Sequence, residues 1–500
     1  MSRFNFKPFF KKLGRRKSLE ILQAKLKNST LNRTLGVVDL ISVGIGCTIG
    51  SGIFVLTGDV AKNIAGPSVI ISFIISGISA SLTAFSYAEL SAIIPSAGAG
   101  YSFIYVALGE FLAWIGCCCA FLQYLVGSAT IASGWASYFN HLLQNIFKVQ
   151  LPYSISNPVV KVNPESGSLF FDSAAVINLP AVIVVFLMTM IMIKGIREST
   201  LANNIIVIVK VASILFFIFS GIAYIQRKNY SPFIPEKNNS RFGAVGVFIG
   251  AQRLYMAYVG FDSVASTSQE AKNPKKDIPI GIIVSLFIST VLYVSVAAVL
   301  VGVQDYRNID STAISKIFSS FKNTLWIEIV INIGALSGLT SAVLVNLMVQ
   351  SRVLMTVAED KMLPSVFSRL HRKFKTPYWA TIVSGSICIL LSALLPTSIL
   401  ADLVSCGSLI VYSLVNISVI VLGRSRPDIE RPYKVPFGPY IIPGLGALIS
   451  LALLFMSENG TKIRVLVLLL LVSVFYFIYP MRKSDVENEK MEDTENNAKE

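Results

Sequence analysis

The sequence predicts an all-α integral membrane protein with twelve transmembrane helices, the first and sixth of them discontinuous. Three observations carry that expectation. Hydrophobic residues make up 53% of the 500-residue chain and charged residues only 14%, where a soluble domain carries about 25% charged. Apolar runs of the ~20 residues that cross a bilayer core recur from Gly36 to Tyr479. Clustered glycines, or a glycine beside a carboxylate, interrupt two of those runs.

The elements follow in order. The first run, 36–61, opens after a basic segment and holds the glycine cluster; the second, 67–89, begins at Pro67 and closes at Glu89. The third, 109–139, carries Cys117, Cys118, Cys119 and Gln123; the fourth, 175–195, is almost wholly apolar. The fifth, 203–225, contains Lys210, and the sixth, 243–268, contains Arg253 and Asp262. The second half supplies 279–303, 326–357 (with Asn346), 379–395, 400–422, 440–456 and 463–480.

Charge sets the orientation. Residues 1–35 hold ten Lys and Arg, among them Lys11, Lys12, Arg15, Arg16 and Lys17, and basic residues stay on the cytoplasmic side. Both termini are therefore expected in the cytoplasm of a cell (inner) membrane. The organisation reads as a basic cytoplasmic segment 1–35, a transporter domain 36–480 and an acidic, disordered cytoplasmic tail 481–500. The net charge of +15 sits at membrane ends beside anionic lipid, not on a soluble nucleic-acid-binding domain. The six cysteines lie within the runs, so no disulfide framework is expected. Two histidines, His141 and His371, suggest neither a metal site nor a catalytic dyad. No cofactor and no enzymatic constellation is expected.

Gly44, Gly46, Gly50 and Gly52 fall within nine residues, too many for a helix that only spans, since each costs about 0.5–1 kcal/mol relative to Ala. Close helix packing is the plainer alternative. In the sixth run Gly260 and Asp262 stand together, and a charge at membrane depth costs about 2.5–3.5 kcal/mol. Breaks five crossings apart are the mark of a five-plus-five inverted repeat with its binding site between the repeats. A broken helix presents N–H groups at the start of its second half, where the dipole is positive. Amides around Gly50, Ser51 and Gly52 would hold a carboxylate. Carbonyls near Thr48 and at Tyr255, Met256 and Val259 would accept an ammonium. Together they describe a site for an α-amino acid.

Single polar residues keep two readings each. Lys210 is a proton carrier packed on the broken first helix, or a lysine snorkelling to the inner face. Asp262 anchors the broken helix or meets the substrate amine. Gln123 and Asn346 either glue helices or line the side-chain end of the pocket. Arg253 faces a vestibule or pairs with a carboxylate.

The stretch from Gly44 to Gly58 resembles the first helix of the cationic amino acid transporter family, within the amino acid–polyamine–organocation superfamily. Pro95 to Tyr101 with Leu108, Gly109 and Glu110, Ala257 to Asp262, and Lys272 to Gly281 extend the likeness. So do Gly334 to Leu336, Gln350 to Arg352 and Thr376 to Tyr378. The resemblance implies an inverted-repeat permease that imports L-amino acids by alternating access, in bacterial members with protons. It places substrate contacts at Thr48, Gly50, Ser51, Gly52, Tyr255, Met256 and Val259, and the coupling lysine at Lys210; Ile49, within the first of these stretches, is a further candidate contact. Where bacterial relatives commonly have Glu, this chain has Gln123, which removes a negative charge and argues against arginine or lysine as cargo. Asn346 makes its end of the pocket more polar, and Arg253 would disfavour cations if it faced the site. A proton-independent exchanger and a non-transporting amino acid sensor remain alternatives. Oligomeric state is not read from the sequence.

Overall fold

The computed structural model describes residues 13–18, 33–162, 169–194, 200–237, 241–309, 313–321, 324–374 and 376–479. Most of the basic segment 1–35 and the acidic tail 481–500 lie outside the described residues.

Every apolar run contains a helix. The first begins as α1 (Val37–Thr48), whose start is fixed by the Gly36 N–H bonding Asp39 Oδ2 at 2.9 Å. It stops where Ile49 turns extended, at φ −76° and ψ 99°. Helical structure resumes at Gly52 in two π-type turns, Gly52–Leu56 and Ala61–Ala65, around a short α segment, Thr57–Val60. Gly66, at φ +65°, ends it. A Cβ there would lie 2.5 Å from Pro235, so only glycine fits the turn. From Val37 to Ile93 the helical stretch runs for 57 residues, enough to cross a ~30 Å core more than once.

Further helices follow: α2 (Val69–Ile93), α3 (Gly100–Leu108), α4 (Glu110–Leu142), α5 (Leu179–Lys194) and α6 (Thr200–Ile222). The sixth run is α7 (Gly243–Leu254) plus a tight turn, Tyr255–Tyr258, a break, and a single turn, Ser263–Ser266. Then come α8 (Pro274–Val303), α9 (Leu325–Glu359), α10 (Tyr378–Leu394), α11 (Thr397–Ser425), α12 (Gly438–Phe455) and α13 (Asn459–Ile478). Among the described residues nine helical stretches are long and apolar enough to span, and α5 and α10 are shorter apolar helices.

Two features depart from the run-by-run expectation. After α2 a turn over residues 94–99 leads into an additional nine-residue helix, α3, before α4. The loop between α4 and α5 carries a two-stranded antiparallel ribbon, β1 (Val160–Val162) and β2 (Leu169–Phe171), so among the described residues the regular structure is helical apart from that ribbon. Outward leucines and phenylalanines on α5, α6, α12 and α13 give the exterior an apolar skin suited to lipid. Inside, α4 packs along α9 and α11, α8 along α2 and α1, and α6 along α9 and α1. The two breaks face each other at the centre of that arrangement.

Candidate functional site

Glycine makes the crossing of the two broken helices possible. A Cβ on Gly52 would fall 2.3 Å from the Cα of Ala257, and one on Gly260 (φ +126°) 2.8 Å from the backbone of Cys47 and Thr48. Gly52 is thus needed for helix contact, not only for ligand approach. Gly50 differs: its added Cβ would meet Ala342 and Ile131 at ordinary distances, 3.5 and 3.6 Å.

Beside the crossing lies a nearly closed cavity, with only about 10 Å³ open to a water-sized molecule, lined by Cys47, Thr48, Gly50, Ser51, Gly52, Gln123, Gly127, Ile131, Met256, Val259, Asn346 and Val404. That is far below the ~300–1,000 Å³ typical of ligand pockets, so this arrangement is closed around the lining residues and must widen to take cargo. Eight of the sequence-predicted residues line it: Thr48, Gly50, Ser51, Gly52, Gln123, Met256, Val259 and Asn346. Ile49 and Tyr255 do not. The Ile49 side chain is fully buried elsewhere, and the Tyr255 ring lies against Tyr412, centroids 5.9 Å apart.

The first turn after the break at Ile49 offers backbone N–H groups without intrahelical acceptors. The Ser51 hydroxyl, buried at their edge, has no partner among the described residues. Opposite, the amide of Gln123 is held rather than free: its Nε2 donates to Asp262 Oδ2 at 2.9 Å and to the Tyr412 hydroxyl at 3.3 Å. Its Oε1 has no partner among the described residues, which leaves a neutral acceptor at the cavity. Asp262 is spent on structure. It accepts from Tyr124 at 2.7 Å and from the Gly260 N–H at 3.2 Å, which pins the second break. Asn346 donates to the Ala342 carbonyl at 2.9 Å, and its Oδ1 lies 3.9 Å from Cys47 Sγ. No ionised side chain is among the cavity residues.

Lys210 does not snorkel. It is fully buried, and its Nζ donates to the carbonyls of Gly46 (2.9 Å) and Ile49 (2.8 Å), the orphan acceptors at the end of α1. Its stem fills the space over Gly338, where a Cβ would come within 2.9 Å of Cε.

Arg253 pairs with carboxylates. Its Nε and Nη2 reach both oxygens of Asp402 at 2.8 Å, and Asp59 and Glu458 lie 3.5 Å away. The fork ties α7 to α11 and to the segment after Gly52, one turn beyond cavity residues Met256 and Val404. On the other side of the cavity, Arg352 bonds Glu270 at 2.9 Å and Lys17 bonds Asp360 at 2.5 Å.

Sequence reasoning missed three supports. The Tyr293 hydroxyl sits 2.8 Å from both the Thr48 and Ala257 carbonyls, and so bridges the two breaks. The Ser405 hydroxyl accepts from the Met256 N–H and donates to the Arg253 carbonyl, each at 3.1 Å. Asp402 was the third. An isolated Asp in an apolar run was the only one of these signals visible beforehand.

Comparisons with known proteins bear on the same stretch. The family model described as amino acid permease matches residues 35–478. The chain is 38% identical over 472 residues to the methylthioribose transporter of Bacillus subtilis (strain 168), covering 94% of this chain and 98% of that one. It is 37% identical over 474 residues to the branched-chain amino acid permease BcaP of the same organism, again covering 94% and 98%. It is 36% identical over 432 residues to the vacuolar cationic amino acid transporter 2 of Arabidopsis thaliana, covering 85% of this chain and 65% of the plant protein.

Proposed function

The chain belongs to the amino acid permease family, a multi-pass membrane transporter and not an enzyme, and on that premise we propose that it imports neutral L-amino acids together with protons. The observation that carries the cargo class is the cavity itself: a positive helix start faces a neutral acceptor, and no charged side chain lines it. A cationic side chain would find no counter-charge there. The relative named for branched-chain amino acids fits such a lining.

The substrate carboxylate rests on the amides of Gly50, Ser51 and Gly52 with the Ser51 hydroxyl. The amine turns to carbonyls of the two breaks, in competition with Tyr293. Gln123 and Asn346 receive the remaining polar end. Lys210 couples transport to protons: protonated, it holds the end of α1 through Gly46 and Ile49, and neutral, it loses charge-assisted bonds there. In this reading twelve crossings in a five-plus-five inverted repeat keep both termini on one side, and the ten Lys and Arg of residues 1–35 favour the cytoplasmic side of a cell (inner) membrane. The Arg253–Asp402 fork closes the outer side.

One observation favours an exchanger instead: Lys210 already makes the bonds of a fixed helix cap. Uptake of radiolabelled L-amino acids into proteoliposomes separates the two, with arginine and methylthioribose in the panel and with or without an inward proton gradient. Gradient-driven accumulation of neutral amino acids, lost in Lys210→Ala while binding persists, supports symport. Equal, pH-independent exchange by both proteins makes Lys210 structural.

A further inference from the structure

We propose that the groove between the start of α8 and the segment preceding α12 is a binding site for an anionic membrane phospholipid. The groove, about 400 Å³, is lined by Lys275, Lys276, Pro279, Ile280, Ile283, Val284, Pro432 and Tyr433. Its two ends differ in chemistry. One carries two adjacent ammonium groups and a phenol; the other is an apolar wall more than one helical turn long. Only an amphiphile with a negative head and a hydrocarbon tail satisfies both.

Charge at the polar end is available. Lys276 has no carboxylate within 4.0 Å among the described residues, and the Lys275 contact to Glu430, at 3.7 Å, joins two side chains that are 62% and 84% exposed. Such a pair contributes little and yields readily to a stronger anion. Lys272 and Lys434 add positive charge on the same two segments. The carboxylate of the first turn, Asp277, is occupied by the Asn273 N–H at 3.1 Å. A 30-residue helix also starts here, with its positive end at the groove.

Depth agrees with the chemistry. Pro274–Val303 is one of the spanning stretches, so its first turn lies at headgroup level and Ile280, Ile283 and Val284 lie at the acyl boundary. A free phosphate would use the lysines but leave the apolar wall unfilled. The site also touches the transport machinery. Just before α8, the Leu35 N–H bonds the Glu270 carbonyl at 3.0 Å, and the Lys272 N–H bonds the Leu35 carbonyl at 2.9 Å. A headgroup held by Lys275 and Lys276 therefore steadies the segment that joins the bases of both broken helices.

Native mass spectrometry of the intact protein, offered phosphatidylglycerol and phosphatidylcholine in equal amounts, tests this. Wild type is expected to retain phosphatidylglycerol preferentially, and K275Q/K276Q to retain it roughly thirtyfold less, from about 1 kcal/mol for each of the two basic residues. Ile283→Asn, which spares the lysines, should weaken phosphatidylglycerol as well. Millimolar inorganic phosphate should not displace the lipid. Equal retention of the two lipids by wild type, or full displacement by inorganic phosphate, overturns the proposal. So does unchanged retention in both variants. Because the readout is lipid retention, it stands apart from any failure of the transport assignment.

Discussion

Glycines 50 and 52 look alike in the sequence and do different work. An alanine at 52 must push its methyl into the Ala257 backbone, and overpacking of that kind costs about 1–3 kcal/mol. Gly52→Ala is therefore expected to lower thermal stability and abolish uptake, whereas Gly50→Ala should keep wild-type stability and raise KM, because its methyl enters the cavity. A thermal melt paired with uptake kinetics checks both, and equal melting temperatures would remove the steric reason for Gly52. Gln123 makes a second test. Its Nε2 satisfies Asp262, so Gln123→Glu sets two carboxylates together and adds negative charge at the cavity. Arginine uptake should rise and leucine uptake fall by roughly tenfold, the worth of about 1.4 kcal/mol. An unchanged selectivity ratio would show that Gln123 does not contact cargo.

At the scale of elements, the runs were legible because lipid demands continuous apolar stretches, and the break in α1 was legible because Gly44, Gly46, Gly50 and Gly52 cluster. The contacts that hold the breaks were not. Tyr293 is one aromatic in an apolar run, and nothing local says that its hydroxyl spans Thr48 and Ala257. The helical character of α3 was hidden by the glycines at its two ends, Gly100 and Gly109, and Arg253 could not be paired because Asp402 lies 149 positions away. That pair joins three elements over the cavity, and it yields its own prediction. Removing one partner of a buried ion pair costs about 3–5 kcal/mol, here in the closed arrangement only. In a background whose sole cysteine is Cys47, which lines the cavity, Arg253→Met should speed labelling by an impermeant external thiol reagent several-fold. Adding Asp402→Leu should restore part of the stability, while labelling stays fast. Slow labelling in Arg253→Met would mean that the fork is a brace and not a gate.

For the whole molecule, the direction of transport and the source of its pH dependence belong together. The ribbon β1–β2 is expected on the outside, facing the acidified medium that drives uptake. Its bonds are suited to that medium. Hydrogen bonds from Lys161 first, then Tyr153 and the Ala174 N–H, hold the Asp172 carboxyl down to about 2, against an ordinary value of 3.8. A carboxyl lowered on folding contributes above its unfolded value and loses that contribution as pH falls from there through the folded one. The window is therefore about pH 4 to 2, and at pH 5 the Lys161–Asp172 bridge, 2.8 Å long, is intact. Asp172 in the ribbon thus supplies no pH response in the working range, and Lys210 stays the proposed proton site. Asp172→Asn should leave the pH profile of uptake between 5 and 8 unchanged, while Lys210→Ala flattens it. The same experiment reads topology when a cysteine replaces Phe170: an impermeant reagent should label it in intact cells, but not one replacing Ser18. Labelling of Ser18→Cys from outside would invert the assigned orientation. A flattened profile in Asp172→Asn would move the proton response from the membrane core to the loop.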